Sequence, residues 1–285
     1  MFKKINNIKQ LKLKANEIRQ DVVRMLNAAG SGHPAGAIGL ADIYAALYFN
    51  VLYHDPKNPK WPERDRVVLS NGHVCPVLYS ALANTGYFPK DELLTLRKLG
   101  SRLQGHPHKG AIPGIENSSG PLGQGLSIAV GMAIVSKRER KKWRVYALMS
   151  DGELDEGQCW EAAMLAAKHR LGNLTAVIDR NNIQIDGHTE EVMPLEPLAD
   201  KFKSFGWNVI NVDGHNIKKF IDACEESRAV YERPTVIIAH TVPGKAISFM
   251  EFLTEWHGKP PNDEQAADAI KELEKQRQMI EEEDE

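Results

Sequence analysis

Apolar positions along the chain follow two different periods, one typical of strands and one typical of helices. Five short apolar runs predict buried strands: RVVLS (66–70), VYALM (145–149), LTAVID (174–179), WNVINVD (207–213) and TVIIAHTV (235–242). Between the later runs, two segments repeat apolar residues at helical spacing: GQCWEAAMLAAKHRLG and HNIKKFIDACEESRAVYE. Strands that alternate with helices indicate an α/β fold, in which a mostly parallel sheet carries helices on both faces.

The chain also begins and ends with helical patterns. Apolar residues at helical spacing run from Ile18 to Ala29 and stop at Gly30, which predicts an amphipathic first helix. No internal repeat and no linker rich in glycine and serine interrupts the α/β pattern. We therefore expect one domain over residues 1–262, followed by a charged helix and tail over residues 263–285.

Composition excludes several classes of protein. The net charge of −2 gives no general attraction to nucleic acid or anionic lipid, and the basic stretch KRERKKWR (137–144) reads as the solvated end of a helix. No apolar run approaches the roughly 18 residues of a membrane span, and the lysine-rich start lacks the apolar core of a signal peptide. Cys75, Cys159 and Cys224 form no C-x-x-C pair. A cytoplasmic protein without nucleic-acid or membrane partners is expected.

Polar side chains follow two neighbouring strands of the predicted sheet. Asp151 comes directly after one strand, and Asn181 and Asn182 follow the next. Because ligands bind at the carboxyl edge of such sheets, these side chains could converge on one point. Their oxygens suit Mg²⁺ or Ca²⁺ rather than zinc, and the glycines at 152 and 157 let backbone approach an anion such as a diphosphate. A plain Asp-Gly turn is the alternative reading of the first segment taken alone.

The segments SDGELDEG (150–157) and DRNNIQIDG (179–187) together resemble the thiamine diphosphate motif. That motif is written Gly-Asp-Gly, followed after slightly under thirty residues by Asn-Asn, and Ser150 replaces its first glycine in this chain. The resemblance implies Mg²⁺, with Ca²⁺ or Mn²⁺ as substitutes, on three ligands: Asp151, Asn181 and the backbone carbonyl of Ile183.

Other segments narrow the resemblance to one family. Together they resemble transketolases over nearly the whole chain: SGHPAGAIGLADIYAALYF (31–49), LSNGH (69–73), QGHP (104–107), GPLGQGLSIAVGMA (120–133) and WHGKPPN (256–262). The resemblance implies a thiamine diphosphate-binding fold and transfer of a two-carbon ketol unit from a ketose phosphate to an aldose phosphate, as in the pentose phosphate pathway. A dinucleotide loop at GPLGQG is disfavoured, because no strand precedes it.

Four histidines that neighbour glycines are candidate catalytic residues: His33, His73, His106 and His257. Taken singly, each could be an ordinary surface-loop histidine. The resemblance implies that they line the substrate channel, where imidazoles bind sugar hydroxyls and move protons at carbonyl oxygens. Lys245 could assist there and His188 could have a supporting role, although a solvated lysine is an equal alternative.

The resemblance also implies a set of contacts to the cofactor. Seven residues are assigned to the diphosphate, to the rings of the cofactor or to their surroundings: His73, Gly120, Leu122, Gly152, Glu156, Asn181 and Ile185. Glu156 is implied as a catalytic carboxylate that links paired cofactor sites, and its alternative reading is an acid in the first turn of a helix, favoured by the helix dipole.

The family's pyrimidine-binding domain, with the glutamate that activates the cofactor, has no counterpart after WHGKPPN, where only residues 263–285 follow. We therefore expect the N-terminal subunit of a split transketolase, which works with a separate C-terminal subunit in an α₂β₂ assembly. The apolar segments LADIYAALYF (40–49) and GLSIAVGMA (125–133) are expected to face that partner. Two alternatives stay open: a split transketolase specialised for a sulfo-sugar or branched sugar, and a non-catalytic chain that binds the cofactor for regulation.

Overall fold

A parallel sheet of five strands forms the centre of the protein in a computed structural model that describes residues 1–283. The strands are β1 (Arg66–Leu69), β2 (Val145–Ser150), β3 (Leu174–Arg180), β4 (Ile183–Gln184), β5 (Gly187–His188), β6 (Asn208–Asp213) and β7 (Thr235–His240). All but the short β4–β5 hairpin lie in the sheet, in the order β1-β2-β3-β7-β6. The five predicted strands are confirmed to within two residues at their ends.

Ten α-helices lie within the described residues. They are α1 (Ile8–Ala29), α2 (Pro34–Gly39), α3 (Ala41–Ala46), α4 (Cys75–Thr85), α5 (Gln124–Arg138), α6 (Gly157–Lys168), α7 (Thr189–Val192), α8 (Leu198–Ser204), α9 (Ile217–Ala229) and α10 (Asp263–Glu282). A π-helical turn (Leu47–Val51) continues α3. The predicted stop of the first helix is confirmed, because Gly30 takes φ 63° and its N–H donates to the carbonyls of Leu26 and Asn27.

Helices cover both faces of the sheet, as predicted. Side chains of β2 alternate between two apolar cores, with Tyr146 and Leu148 on one side and Ala147 and Met149 on the other. The first core contains residues of α1, α3, α4, α9 and α10, and the second contains residues of α5, α6 and α8. Because both faces are covered, the central strands are mostly apolar, and charged residues appear only at the carboxyl end of β3.

The apolar segment 40–49 does not face a partner. Every residue from Leu40 to Phe49 is buried, because α3 packs between α1, α4 and α9 inside this chain. The expectation for LADIYAALYF is therefore wrong. In GLSIAVGMA, Leu126 and Ala129 are buried in the second core and Ile128 is exposed, so only one side of that helix is available.

The last helix packs along the first. Ala269 and Leu273 of α10 are fully buried, and the Asn16 side-chain amide of α1 donates to the Leu273 carbonyl (2.8 Å). The side chain of Asn262 caps α10, with a reciprocal bond from Gln265. Residues 284 and 285, the end of the expected tail, lie outside the described residues.

The three cysteines are free and buried. Cys75 begins α4 and lies 3.2 Å from the carbonyl oxygen of Gly105, whereas Cys159 lies in α6 and Cys224 in α9. None of the helices within residues 1–283 combines the length and the apolar character that a membrane crossing requires.

Candidate active site

A cavity of about 350 Å³ opens at the carboxyl edge of the sheet, where β2 and β3 end. Five loops and the β4–β5 hairpin contribute most of its lining residues, which are His33, Gly36, His73, His106, Gly120, Leu122, Ser150, Gly152, Glu153, Asn181, Ile183, Gln184, Ile185, Asp186 and His257. Its size lies within the range of small-molecule and cofactor pockets. Most of the residues predicted from the sequence therefore surround one space.

Asp151 lies fully buried beneath this cavity. Its Oδ1 accepts from the Gly152 N–H (2.8 Å), and its Oδ2 accepts from the Asn182 N–H (2.7 Å) and from Arg180 Nη1 (3.1 Å). Burial raises the pKa of Asp151 to about 6, although these donors oppose the shift. A carboxylate has about four lone-pair positions, so one on Oδ1 is left for a metal ion.

Arg180 is a buried residue of the site that was not predicted from the sequence. It is the last residue of β3, and its Nη2 pairs with Glu190 (2.6 Å) and Glu196 (3.2 Å) while Nη1 pairs with Asp151. The guanidinium therefore lies between the buried carboxylate and two acids of the following segment. Nothing in its spacing separates it from an ordinary charged residue at a strand end.

Asn181 is held in one orientation by its neighbours. Its Nδ2 donates to Asp179 Oδ2 (2.8 Å), and its Oδ1 accepts from the Ile183 N–H (3.0 Å). The Thr241 hydroxyl donates to the other oxygen of Asp179, and burial raises the pKa of Asp179 to about 7. Because an amide oxygen has two lone pairs, Asn181 Oδ1 keeps one for a ligand.

Glu153 is a second buried residue that was not predicted from the sequence. Its carboxylate accepts from the Ser70 hydroxyl, from the Gly123 N–H (2.7 Å) and from the Ser150 N–H (3.2 Å). These bonds join the ends of β1 and β2 to the loop before α5. Gly125 is required there, because an added Cβ would lie 2.3 Å from that of Ser70. Glu153 therefore organises the floor of the cavity.

Three histidine rings form a cluster on one wall. The ring centroids of His33 and His73 are 5.0 Å apart, those of His73 and His257 are 5.5 Å apart, and those of His33 and His257 are 5.6 Å apart. His106 lines the same cavity. Burial and the neighbouring rings lower the pKa of His33 to about 4 and that of His73 to about 3, and burial lowers the pKa of His257 and of His106. His33 and His73 are therefore uncharged at neutral pH, and the neutral form is favoured at His106 and His257.

Other predicted residues lie at the rim or elsewhere. Ile185 is 74% exposed at the mouth, and Glu156 is exposed at the start of α6, packed beside Gly123. His188 is exposed on the hairpin. Lys245 lies 3.3 Å from Glu251 and lines a different cavity, so the structure does not bring it to the histidines.

Gln184 adds a polar group that was not assigned from the sequence. It lies within the motif DRNNIQIDG, lines the cavity, and its side-chain Nε2 is buried without a partner among the described residues. The Nδ1 of His33 is likewise buried without a hydrogen-bond partner among the described residues. An added Cβ on Gly152 would lie 3.3 Å from the Gln184 side chain, so glycine keeps this passage open. Two unpaired polar atoms and a glycine opening fit a polar ligand that enters here.

The donor set fits a hard cation under an anionic ligand. Within residues 1–283, no group of three or more His, Cys, Asp and Glu residues could hold a metal. Asp151 and Asn181 each keep an unused oxygen lone pair close to the Ile183 backbone, and oxygen ligands of this kind suit Mg²⁺. The residues therefore fit a magnesium-bound diphosphate.

Comparison with known proteins connects this geometry to a family. The family described as "Transketolase, thiamine diphosphate binding domain" matches residues 10–280. The 6-deoxy-6-sulfo-D-fructose transketolase subunit SqwG of a Clostridium species is 44% identical over 266 residues, which are 93% of this chain and 97% of that protein. One of the subunits of the apulose-4-phosphate transketolase of Phocaeicola vulgatus is 38% identical over 97% of this chain and 98% of that protein.

Solved structures show the same relationship. The transketolase of Campylobacter jejuni superimposes with a TM-score of 0.89 at 35% identity, over 95% of this chain and 43% of that one. The chain thus spans about two fifths of that longer enzyme, but nearly all of the two related subunits. Fold, cavity and similarity together establish that the chain belongs to the transketolase family and corresponds to its thiamine diphosphate binding domain.

Proposed function

We propose that this chain is the cofactor-binding subunit of a two-subunit transketolase, which moves a two-carbon ketol unit between sugar phosphates. The observation that carries the proposal is the single cavity in which oxygen ligands at the strand ends face a cluster of neutral histidines. The first group of residues suits a metal diphosphate, and the second suits a polyhydroxylated substrate that must gain and lose protons.

In this proposal, Asp151, Asn181 and the carbonyl of Ile183 hold Mg²⁺, or Ca²⁺ or Mn²⁺ in its place. Gly152 lies against the diphosphate, and the remaining proposed cofactor contacts are His73, Gly120, Leu122, Asn181, Glu156 and Ile185. Thiamine diphosphate, when bound, supplies the nucleophilic ring carbon that accepts the two-carbon unit. The buried Nε2 of Gln184 is a further donor for an anionic group.

The histidines then act on the sugar. A neutral imidazole both donates and accepts hydrogen bonds, so His33, His73 and His257 can bind hydroxyls and move a proton at a carbonyl oxygen. Their ring centroids, 5.0 to 5.6 Å apart, keep all three within reach of one small substrate. We place His106 with them as a fourth substrate contact.

A C-terminal subunit completes the enzyme in this proposal. The relatives matched over nearly their whole length are named as subunits of transketolases. The cavity is lined by an exposed apolar side chain, Ile185, which is 74% exposed and suits a protein contact. Glu156, exposed beside Gly123, is the proposed link between paired sites, and two copies of each subunit make an α₂β₂ assembly.

The sugar specificity has two candidates. A general transketolase takes ketose and aldose phosphates of the pentose phosphate pathway. The second candidate is a specialised enzyme, which is favoured by the substrates named for two relatives, 6-deoxy-6-sulfo-D-fructose and apulose 4-phosphate.

A cytoplasmic location belongs to the proposal, supported by three buried free cysteines. So does the division into a domain over residues 1–262 and a helix with tail over residues 263–285.

Reconstitution with a C-terminal transketolase subunit tests the proposal. Two-carbon transfer should appear only on mixing the two chains with thiamine diphosphate and Mg²⁺, with a mass by light scattering near that of α₂β₂. A screen of phosphorylated, sulfonated and branched sugars as donors and acceptors then separates the two specificities. Robust turnover by this chain alone would contradict the two-subunit proposal, and cofactor binding without turnover on any sugar would favour a regulatory chain.

A further inference from the structure

A second cavity, of about 480 Å³, lies at the opposite edge of the sheet, where β2 and β3 begin. We call it the basic cleft, and its lining residues are Lys137, Arg140, Lys141, Lys142, Arg144, Arg170, Gly172, Asn173, Arg228 and Tyr231. Seven of these ten residues are Lys or Arg and none is Asp or Glu. Because the whole chain has a net charge of −2, this is a local concentration of positive charge.

Much of that charge is not neutralised by the protein. Lys141 pairs with Glu63 (2.9 Å), and Lys137 donates to the carbonyls that end α6. Within residues 1–283, the side chains of Arg140, Lys142 and Arg170 form neither an ion pair nor a hydrogen bond. The negative carboxyl end of α6 accounts for the position of Lys137. It does not account for three further cations without partners beside the same cavity.

Two arginine side chains in the inner wall of the basic cleft are held by carbonyl groups, and each keeps a buried N–H group without a hydrogen-bond partner. Arg144 Nη2 donates to the carbonyls of Gly172 (2.8 Å) and Ser227 (3.0 Å), and Arg228 Nη2 donates to the Val51 carbonyl (2.8 Å). The Nε atoms of Arg144 and Arg228 are buried without a partner among the described residues. Arg228 also pairs with Asp65 (3.8 Å) and Glu225 (3.7 Å). Carbonyls hold the Arg144 guanidinium in place without cancelling its charge, so this side of the wall is preorganised for an anion.

We propose that the basic cleft binds a small molecule that carries two or more phosphate groups. Arginine side chains match phosphate oxygens in two-point contacts, and the cavity volume suits a small ligand rather than a polymer. Tyr231, 80% exposed, offers an aromatic face beside the charges for the organic part of such a ligand. The site lies at the edge of the sheet away from the histidines, so its occupancy does not depend on the proposed function.

Calorimetry of the 285-residue chain with inorganic triphosphate and with ATP tests this proposal. The variant R140Q/K142Q/R170Q removes the three unpaired cations, and R24Q/K275Q/R277Q removes equal charge at exposed positions of α1 and α10 outside the cleft. The cleft variant should bind triphosphate at least about tenfold more weakly, a change of roughly 1.4 kcal/mol, whereas the control should bind as the parent chain does. Circular dichroism and Tm show whether each variant is folded.

Further measurements separate the sources of binding. Affinity that falls with added salt supports charge neutralisation by the cleft, and tighter binding of ATP that Y231A removes supports an aromatic contact. Equal weakening by both variants would reduce the effect to net charge and overturn the proposal. So would an absence of binding by the folded parent chain, or tighter binding of a DNA duplex than of triphosphate.

Discussion

Burial and hydrogen-bond donors together determine which side chains of the active-site cavity carry charge. His33 and His73 are kept neutral by their surroundings, whereas Asp151 is surrounded by three donors that favour its ionised form. A site of this kind places one anionic ligand for a cation beside uncharged groups that exchange protons. The two kinds of residue should therefore respond differently to substitution.

Asp151→Ala should weaken binding of thiamine diphosphate with Mg²⁺ by at least about tenfold, or roughly 1.4 kcal/mol, because it removes the only charged ligand of the proposed metal site. Calorimetry of the assembled enzyme measures the change. Asp155→Ala is the matched control, since Asp155 is exposed on the same turn. Equal affinity in the Asp151 variant and the parent enzyme would refute the assignment.

His33→Ala should lower kcat by about 10²-fold or more with almost unchanged cofactor affinity, because His33 is proposed to act on the sugar. The same result is expected at His106 and His257, and the same loss of kcat is expected at His73, which is also a proposed cofactor contact. His169→Ala, at an exposed position, serves as the control. A variant that loses cofactor affinity but keeps kcat at saturation would move that histidine to the cofactor.

His54 gives a pH dependence of stability away from the active site. Its Nε2 donates to the Tyr48 carbonyl (2.8 Å), its Nδ1 accepts from the Tyr87 hydroxyl (3.1 Å), and burial lowers its pKa from 6.5 to about 4. Between these values the unfolded chain takes up a proton that folded His54 does not, so the free energy of unfolding falls as the pH decreases from 6.5 to 4.

Urea unfolding of His54→Gln measures this contribution. The variant should lose up to about 1.4 kcal/mol of pH dependence per pH unit in that range, even if it is less stable overall. His188→Gln changes an exposed histidine and should keep the parent slope. An unchanged slope in His54→Gln would show that the pKa of His54 is the same in the folded and the unfolded chain.

Helix α10 behaves as part of the folded domain in its contacts with α1. Leu273 is fully buried between them, whereas Met279 on the same helix is 61% exposed. Leu273→Ala should therefore destabilise the chain by about 2 to 5 kcal/mol, through lost burial and a cavity. Met279→Ala should change the free energy of unfolding by less than about 0.5 kcal/mol. Similar small effects of both would mean that α10 folds and unfolds separately.

At the level of elements, sequence patterns predict those features that depend on residues close together in the chain. The strands follow from apolar runs, and the meeting of Asp151 with Asn181 follows from the shared edge of parallel strands. Glu153 could not be found in this way, because its partner Ser70 lies 83 residues away. The segment 40–49 was misjudged, since an apolar helix buried on all sides looks like an exposed apolar face in sequence.

Across the whole molecule, the sheet separates two cores and two cavities. The strand ends of β2 and β3 carry the acidic and histidine-lined site at one edge and the basic cleft at the other. This division places the proposed phosphate site apart from the reacting groups.

The three buried cysteines make it possible to time the opening of each region. Burial raises the pKa of each thiol to about 12, so a thiol reagent can label them only when their surroundings open. Cys75 contacts the carbonyl of Gly105, next to His106, whereas Cys159 and Cys224 lie within helices on opposite faces of the sheet. Peptide mass spectrometry should find Cys75 labelled first, and its rate then reports how often the loop that carries Gly105 and His106 lifts from the start of α4.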